Sequence, residues 1–396
     1  MSLEAAQSEP WYHRVVRAAT ILALLACSPG AAQVIVNPAR LSRMIGMLEA
    51  KPGETVLRCE VAPTHPALNY GFRFQAGYRV TIPAKQFFGP GHRWITLERI
   101  TPLAAGHEPV YLANFQRLPD VPKTSAQLQF GGGYLLGEGA YRVDWALRDE
   151  QGRVCRKSWK VDVRRGRQER DVKVAMPDDT VWDFSLRGAR LMPRDPDDAA
   201  GLHLTILLNL APMTSRRTHL RGGDIASLIS AASSLLERVP TREVRMVVFN
   251  LEQQKEIYRK ENFQLENMPE VAQAMNTIDL NTVDYQVLQK RQGHVELLAG
   301  LMNQELKAER PSDVVLFIGP VSRYEDRVPA ELLEKPAGRA PQFIDIQMMP
   351  VYGPPSEAFL PDVIRNAISR LGGRNLLVRT PGEFAKAITK LENLPR

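Results

Sequence analysis

The residue types that most often carry chemistry are sparse in this sequence, with seven histidines and three cysteines in 396 residues. No His-Glu-x-x-His, phosphate-loop or dinucleotide glycine pattern stands where a strand and helix would present it. Gly319-Pro320-Val321-Ser322-Arg323 places a serine just after an apolar run. It lacks the second glycine of a nucleophile elbow, and Pro320 stiffens a turn that needs freedom. Asp195-Pro196-Asp197-Asp198 offers three carboxylates without the spacing of a calcium loop and reads as solvated. Gly131-Gly132-Gly133 precedes no helix and is expected in a hairpin loop, not around a phosphate. No spacing of His, Ser, Cys or carboxylate joins a nucleophile to a base, so no catalytic or cofactor-binding residue is assigned. Cys59 and Cys155 fall in apolar strand patterns, where they could form a disulfide worth about 4 kcal/mol or remain two buried thiols.

These residues need elements to hold them, and composition says what kind. Hydrophobic residues at 44% and charged residues at 24% are ordinary globular values, which exclude collagen-like and wholly disordered chains. The net charge of +7 is spread along the chain. The basic run Arg164 to Lys173 has no interleaved aromatic residues for base stacking, so no nucleic-acid partner is expected. His13, Arg14 and Arg17 precede the apolar run Ala18 to Ala26 and the small residues Gly30 and Ala32, the pattern of a signal peptide over 1–33. Leu24-Leu25-Ala26-Cys27 resembles a lipobox in which Cys27 would be acylated. The expected location is therefore periplasmic or extracellular, with Cys27 as a possible lipid anchor. No run is long and apolar enough for a transmembrane segment.

Period-two patterns dominate residues 34–165. Tyr70, Phe72, Phe74, Ala76, Tyr78, Val80 and Ile82 share one face of a long predicted strand, and Tyr141, Val143, Trp145 and Leu147 share another that turns at Asp149 to Gly152. This closing hairpin resembles those of immunoglobulin-like β-sandwiches. Residues 166–200 read as a linker in which Val181-Trp182-Asp183-Phe184 could dock on a neighbouring domain. From Leu202 buried-strand patterns alternate with helical stripes. The last helix is marked by the capping box Thr380-Pro381-Gly382-Glu383. The expected fold is thus all-β plus α/β: an N-terminal β-sandwich, then a doubly wound, mostly parallel α/β domain over 201–396.

That second half resembles a von Willebrand factor A domain. In that family three stations hold a divalent cation at the carboxyl edge of the sheet. Here the first reads Asn209-Leu210-Ala211-Pro212-Met213, the second falls at Thr282 or His294, and the third is Gly319 where the family has Asp. Asn209, Ala211, Met213, Thr282, His294 and Gly319 supply too few anionic oxygens for a hard dication, so the site is expected to be degenerate and metal-free. Arg216, Arg217, Arg221, Arg323 and Tyr324 remain as residues that could bind an acidic protein partner directly. The function expected is an exported, non-enzymatic protein-interaction module. Its alternatives are a hydrolase whose site is assembled from separate loops and an acylated structural envelope protein.

Overall fold

The computed structural model describes residues 34–36, 42–184, 201–214, 217, 220–278, 287, 289–322, 324–336, 338–349 and 362–394. A five-stranded antiparallel sheet has the order β1 (Val34–Ile35), β5 (Val110–Arg117), β4 (Arg93–Pro102), β7 (Gly139–Asp149), β8 (Val154–Val163). It faces a four-stranded antiparallel sheet with the order β2 (Glu60–Leu68), β3 (Phe74–Pro83), β6 (Gln127–Leu136), β9 (Val181–Asp183). Cys59, just before β2, is bonded to Cys155 on β8, with Cα atoms 6.2 Å apart, so the disulfide joins one edge of each sheet.

Gly131-Gly132-Gly133, expected in a loop, lies inside β6. A Cβ at Gly77 of β3 would come within 2.1 Å of the Gly132 carbonyl oxygen, so glycines allow the two backbones to approach. The long strand expected from Tyr70 is also broken. Asn69 to Phe72 turns the chain between β2 and β3, with Phe72 N–H donating to the Asn69 carbonyl (2.9 Å) and Phe72 at φ 54°. The apolar alternation continues through the turn, which is why the pattern conceals it.

The expectation of a doubly wound, mostly parallel α/β domain is corrected by the third sheet and by the balance of the whole molecule. The described chain is mostly β, in two antiparallel sheets and one mixed sheet, with five helices of eight residues or more among the described residues. The mixed sheet has the order β12 (Lys255–Lys260), β11 (Thr241–Asn250), β10 (Leu202–Asn209), β13 (Val314–Pro320), β14 (Gln342–Met348), β15 (Arg374–Val378). β12 runs antiparallel to β11. The physical reason is the connection: only residues 251–254 separate the two strands, far fewer than the dozen or so that a parallel crossover needs. Helices α1 (Gly222–Arg238), α2 (Met268–Met275) and α5 (Pro381–Glu392) bury one face with Leu204, Ile206 and Leu208. Helices α3 (Gly293–Leu306) and α4 (Val363–Arg370) bury the other with Leu207, Val247 and Phe317.

The β2–β3 turn joins the halves. Phe72 is fully buried, its ring stacks on Phe384 of α5 (5.8 Å between centroids), and the Arg238 guanidinium of α1 lies 3.9 Å over it. Tyr70 meets Phe384 edge-on at 5.6 Å, Ser234 Oγ donates to the Tyr70 carbonyl (2.7 Å), and Arg73 pairs with Glu237 at 2.8 Å. One continuous apolar core therefore runs from the sandwich through the mixed sheet.

Two outcomes follow from this packing. Phe72→Ala should lower the free energy of unfolding by about 3–5 kcal/mol in urea titration, because a fully buried ring and its contacts with Phe384 and Arg238 are lost. The Cys59→Ser/Cys155→Ser variant, which opens a link across 96 residues, should lose about 4–5 kcal/mol in the same assay.

Candidate functional site

The carboxyl ends of β10 and β13 meet where the chain order of the mixed sheet reverses, the place at which open sheets commonly leave a crevice. Here a narrow crevice is lined by Asn209, Gly319, Pro320, Asp345, Gln347 and Asp362 together with Phe317, Ile318 and Ile364. Gly319 opens it. A Cβ there would meet the Asn209 carbonyl at 2.7 Å and its Cβ at 2.8 Å, so any side chain would fill the space.

The polar groups of the crevice differ in how far they are satisfied. Asn209 Nδ2 donates to the Pro320 carbonyl (3.2 Å), while its Oδ1 is buried without a partner. Asp362 caps α4. It accepts from the Arg365 N–H at 2.9 Å and from the Ser322 N–H, tying the loop after β13 to the helix start. Arg365 donates to Gln347. Asp345, on β14, is 5% exposed. Burial pushes its carboxyl well above the usual carboxylate range, and the neighbouring Asp362 carboxylate adds to this more than Arg365 offsets it. The crevice thus holds one buried carboxylic acid beside one carboxylate whose oxygens are occupied by backbone donors.

The sequence-predicted residues are distributed around this crevice. Asn209 and Gly319 are brought together. Ala211 follows on the loop, and Met213 packs on the core while its N–H donates to Asp224 (3.3 Å). Arg217, expected to face a partner, instead forms a two-pronged pair with Asp224 at 2.9 and 3.0 Å, and the Arg221 N–H donates to the same carboxylate at 2.8 Å. This ion pair closes the loop after β10. His294 opens α3, is buried, stacks on Tyr324 at 3.9 Å, and places Nε2 2.8 Å from Asp326 Oδ2. Ser322 Oγ accepts from the Val363 N–H (3.3 Å) and faces the Tyr324 carbonyl (3.5 Å). Thr282, Arg216, Arg323 and Cys27 lie outside the described residues. Asp345 and Asp362 were missed. Asp345 sits in an apolar strand pattern, and Asp362 precedes a helical stripe as an N-cap, the one signal that could have marked it.

No family model matches the chain, and no curated relative matches it. Among solved structures it is similar to a superoxide reductase (neelaredoxin) from Ignicoccus hospitalis, with 15% identity over 32% of this chain and 92% of that one, at a TM-score of 0.18. It is also similar to a lipoprotein from Bacteroides thetaiotaomicron, with 7% identity over 30% of this chain and 90% of that one, at a TM-score of 0.15. Neither likeness carries an argument about fold or activity.

The buried acid sets a pH dependence. Its folded pKa is raised, so the native chain keeps a proton that the unfolded chain releases above about pH 4. The associated stability is full below that pH and is lost as pH rises toward the folded value, at up to about 1.4 kcal/mol per unit. Asp345→Asn should therefore flatten the fall of melting temperature between pH 5 and 8 and raise the value at pH 8.

Proposed function

We propose that this chain is an exported, non-enzymatic protein-interaction protein, whose sandwich and mixed sheet act as one platform. The observation that supports it best is the internal commitment of three polar side chains at the carboxyl edge, those of Asp224, Asp362 and Ser322. Asp224 is held by Arg217, Asp362 is held by backbone donors, and Ser322 Oγ is directed to the backbone of Val363 and Tyr324. Groups fixed this way stiffen loops and present a set surface, whereas acid–base chemistry needs a group free to exchange a proton with a substrate. The binding envisaged is metal-independent and uses the loops that carry Arg221 and Tyr324.

The His294–Asp326 pair favours a second reading, a hydrolase, because a carboxylate orients a histidine in many acyl-transfer sites. Treatment with a fluorophosphonate, which modifies activated serines, separates the two. On the interaction reading Ser322 is left unmodified in both the parent chain and His294→Ala. An adduct on Ser322 that disappears in His294→Ala would move the assignment to the hydrolase.

A further inference from the structure

β9 pairs with β6 only from Tyr134 to Leu136, and the chain bends away at Phe184. Residues of β6 beyond that pairing offer unused backbone groups. The Ala84 N–H donates to the Ala126 carbonyl and the Gly137 N–H to the Thr180 carbonyl, each at 3.0 Å, so even-numbered residues bond toward β3 and odd-numbered ones toward β9. The register is unbroken along β6, so the N–H and C=O of Gln127, Gln129 and Gly131 face outward, with no partner among the described residues. Exposed sheet edges are usually blunted by lysine, proline or a bulge. The opposite edge of this sheet follows the rule, since β2 holds Pro63, Pro66 and a register shift between Thr64 and Ala67. Gln127 to Gly133 holds neither a charge nor a proline.

The space beside this edge has a floor and a charge. The Trp94 ring of β4 stacks on Phe130 of β6 at 5.0 Å, so β4 lies beneath β6, and β5, the next strand, lies beneath the open position. β9 fills the same position farther along, against β1. Asn114 and Gln116 of β5 stand opposite Thr96 and Trp94 and therefore point inward with them. Both are half-buried, and Asn114 Oδ1 is buried without a partner. On the outer surface Arg79 of β3 stands opposite Gly131, is exposed, and makes no side-chain hydrogen bond or ion pair among the described residues. Gly131 has no side chain, so the guanidinium can reach across it to a residue on an added strand.

We propose that the β6 edge from Gln127 to Gly131 accepts an extended peptide of a partner protein as an added strand, with apolar side chains facing Phe130 and the sandwich interior and a carboxylate facing Arg79. Backbone donors and acceptors at strand spacing are matched by another extended backbone, and the alternate side chains of that strand give selectivity. The charge argues against a second copy as the occupant. Gln127 to Gly133 contains no carboxylate, so two copies paired edge to edge would leave both Arg79 side chains unanswered. The surface lies apart from the loops that carry Arg221 and Tyr324, and the proposal does not depend on them.

The test is fluorescence anisotropy of a labelled peptide, Thr-Val-Thr-Val-Glu-Val-Thr, titrated with the full chain, beside a counterpart in which Gln replaces the Glu. The parent should bind the Glu peptide about three-fold more tightly than the Gln peptide, and Arg79→Gln should erase that preference. A ratio between two peptides does not respond to a loss of folded protein. Gln129→Pro removes an N–H that faces away from β3, so it should spare the β3–β6 ladder and weaken binding of both peptides about ten-fold or more. Hydrogen exchange supplies the second readout, in which the Gln129 and Gly131 amides should exchange fast in the free chain and slow at least about ten-fold with saturating peptide. Slow exchange of both amides in the free monomer would show that the chain's own residues already pair there and would overturn the proposal. A concentration-dependent dimer abolished by Gln129→Pro would assign the edge to a second copy and overturn it as well, as would peptide binding that Gln129→Pro leaves unchanged or no binding of either peptide.

Discussion

Phe72 holds a left-handed backbone conformation that bulky side chains seldom adopt, and it does so with no solvent exposure. The tight turn between β2 and β3 needs such a residue after its first bend, a position usually given to glycine. A phenylalanine is kept there because its ring is sandwiched between Phe384 and the Arg238 guanidinium, and the packing outweighs the backbone cost. The orientation of the sandwich relative to the mixed sheet depends on this contact. Tyr70, Arg73, Ser234 and Glu237 then complete a polar collar around the ring.

Much of the architecture was legible in the sequence. β10, β13 and β14 lie where continuous apolar runs predicted them, and the last helix starts at its capping box, with Thr380 accepting from the Glu383 N–H at 3.2 Å and Glu383 accepting from the Arg379 N–H at 2.6 Å. What escaped detection was where strands end and how they pair. Tyr70 and Phe72 keep the strand rhythm across a turn because they are apolar for another reason, contact with a second element. β12 carries no apolar signature, since Lys255 to Lys260 is a half-exposed edge, and its antiparallel direction is set by the short connection before it. The expected α/β module gave way to a mostly β molecule through such edges and hairpins.

The crevice was half legible. Asn209 and Gly319 stood out as the first and third stations of the family that the second half resembles, and the structure places them side by side. The groups that define its electrostatics, Asp345 and Asp362, are separated by 17 residues and look unrelated in sequence. Only the packing of α4 against β14 brings an acid and an N-cap carboxylate to one space. The ion pair between Arg217 and Asp224 is equally hidden, since an arginine in a polar loop reads as exposed until the aspartate of the following helix is seen beneath it.

The sandwich and the mixed sheet share one core and therefore fold as one unit. Differential scanning calorimetry of the full chain tests it directly. The expected result is a single endotherm whose calorimetric enthalpy matches its van't Hoff enthalpy. Two resolved transitions, each with the enthalpy of one half, would contradict it.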